Sequence, residues 1–380
     1  MATTIKVFGG KPHPLATYIF INESVAASGK GSGRVYGDIN GWFFQWLRRN
    51  THRYLGKKVA DGEVAITQLD DNNSNKYVDG TAAILTGAQG DVYVRLPLFF
   101  TEAVEVNATK HIWRIGFSGQ KLGENWQAWD LGLLGAYEAT CSDATNNSSG
   151  TLYSRSGVAS AGGVSQANFK AKAANMGKGF SLVKWKHQCA LAFLFYGMYG
   201  STNCQAICGS GTNSYEKNTG QTNSIGMNDT TTSNDNSMSI NFLGLENWWG
   251  NKNELMHNVV VDGNVWKITE DDGTVRSVTG QSTYNTWVYP LNFVIGKHLD
   301  AIPRPTQSAT DDSQGYCDGI YMTGAGGRVL RRSCGDSNSV GGVACSSADS
   351  GASGTWAHAG SRLAFNGSIV KLDRASYAQL

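Results

Sequence analysis

The chain has 380 residues, of which 41% are hydrophobic and only 16% charged, with 47 glycines and 11 tryptophans. That composition fits a loop-rich globular protein with aromatic-dense cores, long enough for two domains or for one large domain with a smaller companion. A formal net charge of +2 leaves no basic footprint of the size nucleic-acid binding needs, so nucleic acid is not an expected partner.

The amino terminus carries no apolar run of signal-peptide length, because Thr17–Ile21 is short and Pro12 and Pro14 precede it. Synthesis in the cytoplasm without a signal peptide is the expectation. Residues 1–90 read as a separate amino-terminal module. Within it Asp38 is a helix-cap candidate, and Trp42, Phe43, Trp46, Leu47 and Tyr54 recur at helical spacing, which predicts a helix over 39–55. Arg48, Arg49, His52, Arg53, Lys57 and Lys58 then fall largely on the opposite side and read as a solvated helix face. Gly29, Gly31 and Gly33 make a flexible loop, but no G-x-x-x-x-G-K-[ST] occurs, so a nucleotide-binding loop is not supported. The turn-rich Leu69–Thr81 lacks the glutamate that closes an EF-hand and reads as a polar connection.

From Asp91 the texture changes. Asp91–Phe100 alternates apolar residues as a strand does, with Pro97 marking an edge or a kink, and Lys110–Ser118 and Leu131–Thr140 are further strand candidates. Ser165–Met176 starts on a capping serine and stops at Gly177, so it reads as a helix. Leu182–Tyr199 turns apolar on every side, as a helix enclosed by the domain would. Its apolar run, Cys189–Tyr199, is about half of the ~20 residues a bilayer crossing needs, so no membrane insertion is expected. His187 and Cys189 stand two apart on that helix, point to different faces and read as structural.

Seven cysteines without a secretory signal read as reduced. Cys204 and Cys208 form a C-x3-C with no second pair, so neither a metal nor a cofactor is expected. Gly209–Ser239 is a long polar run of the kind that is functional or mobile. Trp248 and Trp249 follow among turn formers and read as core anchors whose indole N–H groups need internal partners.

The stretch Gly326–Phe365 stands apart: 22 of its 40 residues are Gly, Ser or Ala, yet strand-like Arg328–Arg332 and Ser361–Phe365 bracket it. A disordered tract would lack the closing Arg-Leu-Ala-Phe, and a core would carry more Val, Ile and Leu. It reads as a display surface held between two strands.

The order YEAT (Tyr137–Thr140), SRSG (Ser154–Gly157), GKGFSLVKW (Gly177–Trp185), GLENWWGN (Gly244–Asn251), YCDG (Tyr316–Gly319), GGRVLRRS (Gly326–Ser333) and GSRLAFNG (Gly360–Gly367) resembles the variable proteins of diversity-generating retroelements. The resemblance covers roughly Asp91 to the carboxyl terminus. It implies an α+β protein with a C-type lectin fold of the formylglycine-generating-enzyme-like type, in which residues 91–380 form a ligand-binding domain with a variable region over about 328–365. It also implies a receptor-binding protein of a phage, prophage or bacterium, virion tail-associated or at a cell surface, whose partner is a protein or glycan on a cell surface. In that family, copying errors at template adenines turn AAC-type codons into codons that never encode Lys, Glu, Gln, Met or Trp; residues 332–355 contain none of these five. Trp356 lies outside that scheme.

By the same resemblance Val329, Arg331 and Ser361–Phe365 are scaffold. The display residues are Arg332, Cys334, Asp336, Ser337, Asn338, Ser339, Cys345, Ser347, Asp349, Ser350, Ser353, Thr355, Trp356 and His358. Trp356, Arg332 and His358 are the residue types expected to anchor a ligand. A reducing cytoplasm argues for free thiols at Cys334 and Cys345. Three rivals share some of these features. A formylglycine-generating-type enzyme would place two closely spaced cysteines after the Gly-Gly strand, whereas Cys334 and Cys345 are 11 positions apart. A calcium-dependent lectin would carry E-P-N, Q-P-D or W-N-D, none of which occurs, while calcium-independent glycan binding stays open. A structural tail-tip protein could share the fold with no ligand of its own.

Overall fold

The computed structural model describes residues 16–22, 35–36, 41–107, 110–117, 127–212, 217–230, 238–280, 284–294, 300, 302–305, 316–324, 326–333 and 340–380. The described chain is mixed α+β, built mostly of open sheets. A seven-stranded sheet and an eight-stranded one both contribute side chains to each of the two larger apolar clusters. The first sheet runs in the order Phe180–Leu182, Leu363–Phe365, Leu133–Gly135, Asp91–Arg95, His52–Ala60, Glu63–Gln68, Ser368–Lys371. Its strands obey the period-2 rule, so that successive side chains enter different cores. Tyr54, Val64, Ile66, Tyr93 and Leu133 join one apolar cluster, while Leu55, Val92, Val94 and Leu134 join the other.

This sheet ties residues 52–68 to the main body: Gly56 pairs with Asp91 and His52 with Arg95. A boundary at residue 90 therefore falls between hydrogen-bonded neighbours. The predicted helix over 39–55 is also shorter than expected, since α1 is Trp42–Arg49. Asn50 and Thr51 turn their side chains back onto the Trp46 and Leu47 carbonyls at 2.8 Å each, which uses up the last-turn acceptors and releases His52–Ala60 into the sheet. The basic cluster is consequently not one solvated face. Arg53 is fully buried and donates to the Gly244 carbonyl at 2.7 Å, to Thr222 Oγ1 at 2.9 Å and to Asn241 Oδ1 at 3.2 Å.

The predicted strand over 91–100 breaks at Pro97 into Asp91–Arg95 and Phe99–Asn107, and the second pairs with Lys110–Phe117 in a five-stranded sheet. Of Leu131–Thr140, only Leu133–Gly135 and the end at Thr140 are extended. α2, Gln166–Ala174, is capped by Ser165, whose Oγ accepts from the Asn168 N–H at 3.3 Å. α3, Trp185–Tyr199, is buried almost all round and ends at Gly200 in the left-handed region, φ 58°. On α3, buried His187 accepts from the Lys184 N–H at 3.0 Å. α4 is Cys204–Cys208 and α5 is Arg374–Tyr377. No described helix is long and apolar enough to cross a membrane.

The second sheet runs Val275–Thr279, Val265–Thr269, Asn253–Asp262, Arg328–Arg332, Ser346–Ser350, Ile320–Met322, Tyr284–Val288, with Ala359–Gly360 pairing in parallel to Asn253–Glu254. Trp248 and Trp249 are wholly buried next to it, with indole N–H donors satisfied by Gln188 Oε1 at 3.1 Å and the Gly209 carbonyl at 3.0 Å. These two rings anchor the core through internal partners, as their sequence setting predicts.

Candidate binding surface

The strand Arg328–Arg332 sits in the middle of the second sheet, and its alternation sends adjacent arginines to opposite faces. Arg332 points inward. It is 2% exposed, donates to Glu254 Oε2 at 2.5 Å and to the Trp248 carbonyl at 2.8 Å, and lies over the Trp248 ring. Glu254 is shared with Arg362, whose Nε donates to Oε1 at 2.8 Å and whose other nitrogens reach the carbonyls of Gly135 and Glu246. Arg332 is therefore a framework residue, which corrects the expectation that it is displayed.

A buried carboxylate beside this pair behaves differently. Glu138 accepts from the Asn251 side chain and, at 2.8 Å, from the Lys252 N–H. Burial, reinforced by the nearby Glu254 charge and only partly offset by Arg362, pushes its pKa up to about 7.

Arg331 faces the other way. Its guanidinium lies 4.8 Å above the Trp356 ring, donates to Asp349 Oδ1 at 2.5 Å and contacts His358 Nε2 at 3.3 Å. The Trp356 and His358 rings stack with centroids 6.4 Å apart. Ser350 Oγ also donates to Asp349 Oδ1, at 2.9 Å. The loop between Ser346–Ser350 and Ala359–Gly360 carries exposed Ala352, Ser353, Thr355 and Ala357, with Trp356 and His358 half-buried among them.

The loop is held by its backbone. Gly163 N–H donates to the Trp356 carbonyl at 2.7 Å, Lys252 Nζ to the Ala357 carbonyl at 2.7 Å, and Asn253 N–H to the His358 carbonyl at 2.8 Å. A Cβ at Gly162 would overlap the Ala357 carbonyl, so that position must stay bare for the loop to lie where it does; one at Gly354 would meet the far edge of the Trp356 indole. A loop fixed through its main chain leaves its outward side chains without a packing role.

The predicted display residues divide into groups. Asp349, Ser350, Ser353, Thr355, Trp356 and His358 come together in this loop and its approach strand. Ser347 is 3% exposed and Cys345 0%. Both lie inside, Ser347 because it pairs with Arg331 at the sheet centre and Cys345 because it sits against Val340 beneath the turn over 340–344. Cys345 is also disulfide-bonded, against the expected free thiol. Cys334, Asp336, Ser337, Asn338 and Ser339 lie outside the described residues.

Arg331, expected among the scaffold positions, is itself 4% exposed, and it supports the loop from below through its contacts with Trp356, His358 and Asp349. A cavity of about 690 Å³ lies elsewhere, lined among others by Asp61, Lys178, Phe180, His257 and Asn366, and shares no residue with the loop. The described cluster with a metal-type donor set is Cys204, Cys317 and Asp318, away from the loop as well. Against known protein families the chain matches no family model, and no curated protein matches it.

Proposed function

We propose that the protein is a ligand-binding protein of the C-type lectin, formylglycine-generating-enzyme-like fold, which displays a retroelement-diversified loop and attaches a phage or bacterium to a protein or glycan on a cell surface. One observation carries this reading: residues 351–358 are pinned through main-chain hydrogen bonds while Ser353 and Thr355 project outward, beside half-buried Trp356 and His358. Such an arrangement tolerates exchange of side chains without repacking, and a pre-ordered loop loses little entropy when it binds. Trp356, backed by Arg331, supplies a rigid aromatic anchor of the type that dominates binding energies.

The test is a binding screen of the whole chain against host-surface glycans and outer-membrane proteins, repeated with Trp356→Ala/His358→Ala. A ligand bound by the wild type and lost by the double variant, with a melting temperature within a few degrees, supports the reading. Equal binding by both proteins overturns it. An independent check is genetic: a near-copy of the codons for residues 328–365 that differs only at adenines, beside a reverse-transcriptase gene, is expected in the surrounding DNA.

A further inference from the structure

Away from the loop, three buried side chains from distant parts of the sequence converge. Cys204 opens α4, while Cys317 and Asp318 lie in the turn before strand Ile320–Met322; their exposures are 0%, 1% and 0%. The two sulfurs are 3.9 Å apart. Asp318 Oδ1 lies 3.1 Å from Cys204 Sγ and 2.9 Å from Cys317 Sγ, and Oδ2 accepts from the Ala344 N–H at 2.7 Å. A Cβ at Gly342 would overlap both Asp318 Oδ1 and Cys204 Sγ, so the turn over 340–344 closes on the cluster only through a bare glycine. Cys208, the partner that sequence spacing offered to Cys204, is instead grouped with Tyr199 and Thr230.

We propose that Cys204, Cys317 and Asp318 form a structural site for a thiophilic divalent cation, zinc by the chemistry of the donor set, which fastens α4 and the turn over 340–344 to the second sheet. With Zn–S bonds of about 2.3 Å and tetrahedral angles, two zinc-bound sulfurs stand about 3.8 Å apart, close to the separation here. The carboxylate oxygen has to retreat by only about half an ångström to take its own bond of about 2.0 Å. The Thr202 carbonyl lies 3.4 Å from Cys317 Sγ, at the edge of the cluster.

Charge bookkeeping favours the exchange. Without a cation, the Cys204 and Cys317 S–H groups donate to Asp318 Oδ1. A divalent ion displaces the two thiol protons, which leave to solvent, and the cluster keeps the same net charge of one negative unit. Oxidation to a Cys204–Cys317 disulfide is the poorer outcome. The sulfurs would have to close to about 2.05 Å, and Asp318 would lose both S–H donors while still buried.

The experiment uses the full chain, purified under reducing conditions, with metal analysis followed by Co²⁺ titration of the chelator-treated protein. Expected are one zinc per chain, a near-ultraviolet thiolate-to-cobalt absorption band that saturates at one equivalent, and release of two protons per ion bound. The band is expected to vanish in Cys317→Ser, weaken in Asp318→Asn and persist in Cys208→Ser. Removing the ion is expected to lower the melting temperature by about 5 °C or more. Absence of a thiolate–cobalt band in the reduced wild-type protein would overturn the site, and that readout needs no variant to fold. An intact mass showing Cys204 and Cys317 joined in the reduced preparation would overturn it equally.

Discussion

Arg331 and Arg332 are consecutive residues of the same type on one strand, and they meet opposite surroundings. Arg332 enters a dry interior, where its charge is matched by Glu254 and where Arg362 completes the set. Arg331 reaches the side where Trp356, His358 and Asp349 gather beneath an exposed loop. The difference teaches that residue chemistry alone does not assign a role in a β protein. The face does, and the face changes with every step along the chain.

The sharpest way to break the comparison is to truncate each arginine in turn. Arg332→Ala strands the Glu254 carboxylate with half its compensation and is expected to cost about 3–5 kcal/mol in a urea melt. Arg331→Ala is expected to cost about 1–3 kcal/mol, less than its neighbour, because the Arg331 side chain is 5% exposed but that of its partner Asp349 is 30% exposed and can regain water. Equal losses would abolish the division between the interior face and the loop face. Phe365→Ala should behave like the Arg332 variant, with about 3–5 kcal/mol lost from a ring packed at 4.6 Å on Phe180.

The interior half of the comparison also carries a pH signature. Glu138 titrates near 7 in the folded chain against an ordinary value of 4.5. Between those values the folded chain holds a proton that the unfolded chain has released, so its contribution is fully present below about 4.5 and lost as pH rises to about 7. Asp91, raised by burial to about 6, acts in the same direction; His257, lowered by burial to about 4, opposes both. Glu138→Gln leaves the last two untouched. The stability difference between wild type and this variant is expected to move by roughly 2–3 kcal/mol in the variant's favour between pH 5 and pH 8.

Smaller effects belong to the loop side. Trp356→Ala is expected to destabilise by about 1–2 kcal/mol, since the ring is only half-buried. Ser353→Ala and Thr355→Ala should stay within about 0.5 kcal/mol in thermal melts. A larger loss at either position would show that the loop depends on its side chains.

Much of the interior was legible in the sequence. The Ser165 cap, the all-round apolar α3 and the paired indoles of Trp248 and Trp249 are local patterns whose physical demands are met nearby. The end of α1 was not legible, because aromatic spacing continued to Tyr54 while the signals that ended the helix were two side chains folding back on carbonyls. The roles of Arg53 and Arg332 were hidden for a related reason: charged residues read as surface until partners far away in sequence are known, such as Asn241, 188 positions from Arg53. On the candidate surface, the loop over 349–358 was visible as a run of small residues, but Ser347 and Cys345 were not separable from it, since burial at a sheet centre leaves no trace in the identity of a serine.

The seven-stranded sheet takes Leu363–Phe365 as an interior strand and Ser368–Lys371 as an edge, and both follow the exposed loop in the chain. Translation that halts early or slips its reading frame inside residues 351–358 therefore yields a protein missing a central β-ladder partner for Leu133–Gly135 and Phe180–Leu182. Copies with a broken frame are then expected to fold poorly and to lie open to proteolysis, so the architecture couples an intact carboxyl-terminal strand to an intact reading frame across the loop.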